Sequence, residues 1–168
     1  VLLGNGLFER SLTSDNEIQG GVSWWYGSGG FAARGGPLTV GFPNAPDPLL
    51  WTSNNRGFNN QWLQLNSQYA DSRMTLTNNI SFEGNTVNVS VWDNPGTDQD
   101  EAELSGVLSG SNSGAWFYKR GHGTVWLSGV NTFDQRIYVE WGAVRAVEGV
   151  GLPAGGGVFF QVRDNQPD

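Results

Sequence analysis

Eight Trp, four Tyr, sixteen Asn and eight Gln are the side chains of this sequence most able to do chemistry, and the chemistry they suit is recognition of neutral hydroxyls. A flat aromatic ring stacks on the C–H face of a pyranose, and an amide offers both a donor and an acceptor to the hydroxyls around it. Reactive groups are scarcer. His122 is the single histidine and stands in the glycine turn Arg120-Gly121-His122-Gly123, with no G-x-S-x-G elbow anywhere in the chain. H-E-x-x-H and P-loop patterns are absent as well. Glu9, Glu17, Glu83, Glu140 and Glu148 are the glutamates a glycosidase could pair, Glu140 the best of them. No two acids alternate in a strand so as to enter one cleft. The run from Asp93 to Glu103 holds five acids. Asp93, Asp98 and Asp100 make it a candidate loop for a structural calcium ion, which takes about six to eight oxygen ligands. Glu9 with Asp164 is the alternative pair, and a solvated acidic loop guarding a sheet edge is the competing reading.

The charge balance narrows the partners. The formal charge is −7, from sixteen acids against eight Arg and one Lys. Phosphate contacts demand a basic stripe, so neither nucleic acid nor an anionic membrane surface is the expected partner. No apolar run approaches the roughly 18 residues of a membrane helix. Without Cys there is no disulfide framework, thiolate metal site or cysteine nucleophile. A neutral glycan remains. The opposing reading of the amides is that most of them fill turns, where Asn and Gly supply backbone shapes other residues resist.

These side chains must be held by strands, because helical periodicity is nearly missing. Thr86–Trp92, Arg136–Trp141, Arg73–Thr77 and Thr124–Ser128 alternate apolar and polar residues with period two. Shorter candidates lie at 18–26, 37–42, 49–52, 61–66, 102–108, 115–119, 143–148 and 157–163. Gly- and Pro-rich turns separate them at about 8–12 residue spacing, as in all-β sandwiches. The expectation is one domain over 1–168: an all-β, two-sheet antiparallel β-sandwich of jelly-roll type, with no repeat of fixed period. Strand parity then sorts the rings. Val87, Val89 and Val91 point inward, leaving Asn88, Ser90 and Trp92 on the wet face. Trp126 opposes Val125 and Leu127, Trp62 falls with Gln64, and Tyr138 falls with Glu140, while Trp141 follows Ile137 and Val139 inward. The expected ligand-binding residues are Trp62, Trp92, Trp126 and Tyr138 for stacking, Gln64, Asn88 and Glu140 for hydrogen bonding, and Trp25 and Asn59 at the rim. The segment 51–62 reads as an amide-rich loop, too polar for the core.

The opening Leu2-Leu3-Gly4-Asn5-Gly6-Leu7-Phe8-Glu9 resembles the start of jelly-roll carbohydrate-binding modules of the family 4, 9 and 22 type, with Asn5, Gly6, Phe8 and Glu9 matching. Such modules close with a strand carrying an Asp pair, where 157–164 has Asp164 alone. The resemblance implies non-catalytic binding of a neutral glycan in a cleft on one sheet, beside a linked catalytic domain or on a surface, and the expected reading is a secreted module for a neutral polysaccharide or oligosaccharide. The opening at Val1 rather than Met fits a removed leader or a piece of a longer chain. The first alternative is a structural or assembly subunit of a virion surface or extracellular array, its surface aromatics forming a self-assembly interface. The second is a β-sandwich glycoside hydrolase.

Overall fold

Val87, Val89 and Val91 are all buried, and so are Val125, Leu127, Ile137 and Val139, so the alternation did mark the inward face, although Ser90, expected on the wet face, is buried as well. What the alternation could not show is how the strands pair. In the computed structural model, which describes residues 1–13, 20–24, 27–52, 57–112 and 114–160, every strand pairing is parallel. The antiparallel two-sheet sandwich and the jelly roll are therefore wrong for this chain. Residues 2–9, which carry the jelly-roll resemblance, form instead the first strand of a coil.

The strands come in chain order as turns of that coil. The first turn is β1 (Leu2–Glu9). The second is β2 (Gly29–Gly41) and β3 (Leu49–Leu50). The third is β4 (Leu63–Leu65), β5 (Met74–Leu76) and β6 (Ile80–Ser81), and the fourth is β7 (Val87–Val91), β8 (Ala102–Leu104) and β9 (Leu108–Ser109). Then follow β10 (Trp116–Arg120) with β11 (Thr124–Leu127), β12 (Arg136–Val139) with β13 (Ala143–Ala146), and finally β14 (Val158–Phe160). The main sheet runs β13-β11-β8-β5-β2-β4-β7-β10-β12-β14, with β1 also on β2. It is curled. The long strand β2 bends at Arg34–Pro37, pairing β4 with its first part and β5 with its last. We call the β4-β7-β10-β12-β14 side face A and the β5-β8-β11-β13 side face B. The separate three-stranded sheet β3-β6-β9 is face C. Face C continues past β9, where Thr132 and Asp134 donate backbone hydrogen bonds to the carbonyls of Leu108 and Gly110. The architecture is a parallel β-solenoid, each turn stacking on the last.

Parallel neighbours need a long crossover, which normally means a helix. Here the other two faces of each turn are the crossover, so short strands suffice. The repeat is real but its length is not constant. Along face A, Leu63 lies opposite Val89, Val87 opposite Phe117, Trp116 opposite Arg136 and Ile137 opposite Val158, giving offsets of 26, 30, 20 and 21 residues. A drifting period leaves no fixed repeat to detect.

Inward residues stack in lanes along the axis. Phe82 meets Phe117 at 5.7 Å and Phe133 at 5.6 Å, and Trp51 meets Phe58 at 5.1 Å. The polar-looking segment 51–62 thus contributes Trp51 and Phe58 to the core, both fully buried. Each such side chain contributes about 1.5–3 kcal/mol through burial. Trp141, expected inside, lies instead in the turn after β12, half-buried and stacked on His122. Its place in the core is closed because β12 ends at Val139.

Corners are made by glycines and asparagines. A methyl group on Gly129 would strike the Gly106 carbonyl, and one on Gly106 would strike the Asn78 carbonyl, so successive turns touch backbone to backbone there. Asn66, buried with φ of 56°, turns the A–B corner. Its Oδ1 accepts from the Ala33 N–H at 3.0 Å, and its Nδ2 donates to the carbonyls of Asp100 and Glu101 in the next turn. Asn78, Asn79 and Asn131 satisfy corner backbone groups of neighbouring turns in the same way. These corner amides, Asn66 and Asn131 buried and Asn78 and Asn79 half-buried, hold successive turns together.

Candidate ligand-binding surface

Outward residues of faces A and B also form lanes, because adjacent rungs lie about 4.8 Å apart. On face B the lane Thr75–Glu103–Trp126–Arg145 is in register. Trp126 is half-buried there, with the Arg73 guanidinium 4.9 Å and the Arg145 guanidinium 4.5 Å from its ring centre. Both arginines pair with Glu101, at 3.1 and 2.8 Å. Glu103 accepts from the hydroxyls of Thr75 at 3.1 Å and Ser128 at 2.7 Å. Two cations therefore crowd the indole, held there by the one carboxylate, and a sugar stacking on it would have to compete with them.

Face A carries Trp116, Tyr118, Tyr138 and Phe159 as one packed group. Tyr118 and Tyr138 are opposite in register with ring centres 5.0 Å apart, and Trp116 reaches Tyr138 at 5.5 Å and Phe159 at 5.3 Å. Asn88 lies one rung from Tyr118 on the same lane. Arg120 spans the next rungs, 4.4 Å from the Trp62 ring centre and 5.1 Å from that of Tyr118, and its Nε meets Glu140 at 2.6 Å. Glu140 is buried under this contact and does not present a carboxylate to solvent. Tyr138 and Asn88 are half-buried.

The A–B corner differs. Trp92 follows the last residue of β7 and is 47 % exposed, and Tyr69 in the corner after Asn66 is 55 % exposed. They open onto one hollow of about 420 Å³, together with Leu3, Gln64, Ser67 and Gln68. Among the described residues Trp92 has no aromatic or cationic neighbour on its ring. The side-chain amides of Gln64 and Gln68 make no hydrogen bond among the described residues either. Trp62, 39 % exposed, stands beside Gln64 with one side covered by Arg120.

The structure thus brings Trp92 and Gln64 together in one hollow with Trp62 beside it, keeps Tyr138 and Asn88 on the packed part of face A, and sends Trp126 to face B. Asn59 turns the chain at φ 48° and its carbonyl accepts from Gln61 Nε2 at 3.3 Å. Trp25 and Asp164 lie outside the described residues. Tyr69, Trp116 and Tyr118 were missed. The alternation of Trp116 and Tyr118 about the buried Phe117 was a legible signal, obscured by the lysine at 119 in an inward position. For Tyr69, in an irregular corner, the sequence carries no signal.

In the acidic loop, Asp100 is buried and accepts the Asn94 backbone N–H at 2.8 Å, while Gln99 Nε2 donates to Asp98 at 2.7 Å. Burial pushes the Asp100 carboxyl up despite the Asn94 N–H, and Asp93 and Asp98 add to the rise. Asp100 serves as a turn acceptor, and among the described residues no three acidic or histidine side chains converge on a common point.

Lys119 is the most unusual group near the corner. It occupies the inward lane between Val89 and Val139 and is fully buried. Its Nζ donates to the carbonyls of Gly121 at 2.7 Å, Arg120 at 2.9 Å and Trp141 at 3.0 Å. Burial pulls its pKa down from 10.5 to about 7, with Asp93 acting weakly in the other direction.

The class this geometry defines is a parallel β-solenoid with an open hollow at one corner, lined by Trp92 and by Tyr69, whose ring has the Arg34 guanidinium 6.0 Å from its centre. No family model, curated protein or solved structure matches the chain, so nothing beyond that class is carried over from other proteins.

Proposed function

We propose that this protein binds a neutral saccharide, without catalysis, in the hollow at the A–B corner. The observation that carries the reading is the pairing there of two exposed rings, Trp92 and Tyr69, with two amides, Gln64 and Gln68, that have no hydrogen-bond partner among the described residues. Rings offer flat apolar area to the C–H face of a sugar, and uncommitted amides offer a donor and an acceptor to its hydroxyls. The hollow is open rather than closed, which suits a chain-end or a surface residue of a polysaccharide more than a small molecule sealed from water. Its lining side chains carry no formal charge, in keeping with a neutral ligand.

The experiment is affinity electrophoresis in gels containing neutral glucan, xylan, mannan or galactan, followed by titration of Trp fluorescence with any polysaccharide that retards migration. Retardation by one polysaccharide with a saturable fluorescence change supports the reading. Unchanged mobility in every gel and on a wide neutral-glycan array overturns it.

A further inference from the structure

We propose that Lys119 is a pH-operated latch on the A–B corner: its ammonium ties the corner carbonyls of two successive turns, and its deprotonation frees one of them and shifts the backbone that carries Trp92. The consequence for binding, weaker saccharide affinity once the proton is lost, rests on the hollow being the saccharide site.

Elsewhere the corners are tied by amides. Asn66 joins neighbouring turns through Ala33, Asp100 and Glu101, and Asn131 accepts from the Leu108 N–H at 2.8 Å and donates to the Gly151 carbonyl at 3.0 Å. An amide keeps its donors at every pH. After β10 the same task falls to a fully buried cation. Lys119 Nζ donates to the carbonyls of Arg120 and Gly121 in its own turn and of Trp141 in the next. An ammonium has three N–H donors and no acceptor, so the three carbonyls meet it one to one. The neutral amine keeps two N–H groups and gains a lone pair, so one carbonyl is left without a donor. A buried carbonyl without a donor is costly, and this one is relieved only if the turn shifts or water enters.

The tied segment bears directly on the hollow. A methyl group on Gly121 would strike the Val91 carbonyl, and one on Gly123 would strike the Trp92 carbonyl. The Gly123 N–H donates to the Val91 carbonyl at 2.9 Å, and the Trp92 N–H to the Leu65 carbonyl at 3.1 Å. Residues 120–123 therefore lie backbone on backbone against Val91 and Trp92, with no side chain between them to absorb a shift. Trp92 lines the hollow.

Burial brings the Lys119 pKa to about 7, so the proton leaves in the neutral range. The charged groups around it are few. Asp93, next to Trp92, acts on it weakly in the opposite direction, and Asp100, further along that loop, is held on the Asn94 N–H. On the β12 side Glu140 is engaged by Arg120 at 2.6 Å. In the turn itself His122 stacks on Trp141 with ring centres 6.1 Å apart, and it is the group a test must separate from Lys119. The fold as a whole still gains from shedding a buried charge, so the loosening is local.

The experiment is an NMR titration of the full chain across neutral pH, following the Lys119 side-chain carbons and the Trp92 indole N–H, the latter assigned with Trp92→Phe. Both signals should move with one midpoint near pH 7. The Trp92 shift should persist in His122→Gln and vanish in Lys119→Met. A Lys119 signal that stays still until near pH 10.5 overturns the proposal from the wild type alone, whether or not Lys119→Met folds. So does a Trp92 signal that stays still while Lys119 titrates, or one that stops moving in His122→Gln. For binding, migration in gels of neutral glucan, xylan, mannan or galactan is compared with a blank gel on either side of that midpoint. Retardation should be weaker on the alkaline side, and equal retardation overturns the link to binding. No retardation in any gel removes the saccharide reading, while the NMR midpoints still decide the latch.

Discussion

Trp92 and Trp126 both stand on outward lanes, follow buried valines and are flanked by polar residues, yet they meet opposite fates. Trp126 lies mid-strand on the flat part of face B, where the rungs on either side project parallel to it. Arg145 is its register neighbour and, with Arg73, sets guanidinium groups 4.5 and 4.9 Å from the ring centre. Trp92 lies just past the end of β7, where the chain turns the corner, and side chains of successive rungs diverge. Its ring stays bare. The lesson is that in a stack of parallel rungs the neighbours of an outward side chain are fixed by the ladder. The flat face clothes Trp126 with the next rung's side chains, whereas at the corner Trp92 has no such neighbour among the described residues and Tyr69 has only the Arg34 guanidinium, 6.0 Å from its ring centre.

The largest effect that would sharpen this contrast comes from Lys119, whose ammonium holds the A–B corner by three carbonyls. Its folded pKa of about 7 lies below the 10.5 of the unfolded chain. Between about pH 7 and pH 10.5 the unfolded state therefore binds a proton that the folded state has released, and stability rises with pH across that window. Urea titrations of the wild type should show the rise and Lys119→Met should lose it; equal slopes would mean that Lys119 is not the titrating group.

Next in size is Asn66→Ala, which leaves the Ala33 N–H and the carbonyls of Asp100 and Glu101 without their buried partner. A loss of about 3 kcal/mol is expected, with loss of any saccharide binding as the corner opens. A variant as stable as the wild type would show that the corner is not held by this amide.

Trp126→Ala should cost about 2 kcal/mol, from lost burial and from two cation–π contacts, while leaving saccharide affinity alone. Weakened binding with unchanged stability would invert the comparison and make face B the ligand surface. Trp92→Ala is the mirror experiment. Affinity for the bound polysaccharide should fall on the order of tenfold, about 1.4 kcal/mol, with melting temperature unchanged. Calorimetry and a thermal scan on the same sample decide between the two outcomes.

Much of the outward pattern was readable before the fold was known, because period two belongs to a strand however it pairs. Val87, Val125 and Ile137 went inward and Trp62, Gln64 and Trp92 outward on parity alone. Partners across the ladder were not readable. Arg73 and Glu101 are far from Trp126 in sequence, and only the stacking of turns brings them to the indole. Glu140 was expected beside an open platform, but Arg120, one rung away, draws it under cover. The buried amides of Asn66 and Asn131 carry the same ambiguity, since an Asn reads alike whether it meets a sugar or a corner carbonyl.

By itself the sequence determined that this chain is built of short strands with one buried and one solvated side, broken by Gly, Asn and Pro, and that its surface is acidic and rich in amides. Those properties follow from local backbone preference and side-chain polarity. Tertiary structure alone decided that the strands run parallel, that the chain coils, and which rings remain bare. Pairing direction depends on where the chain goes between strands, and in a coil whose turns differ in length no local pattern records that route.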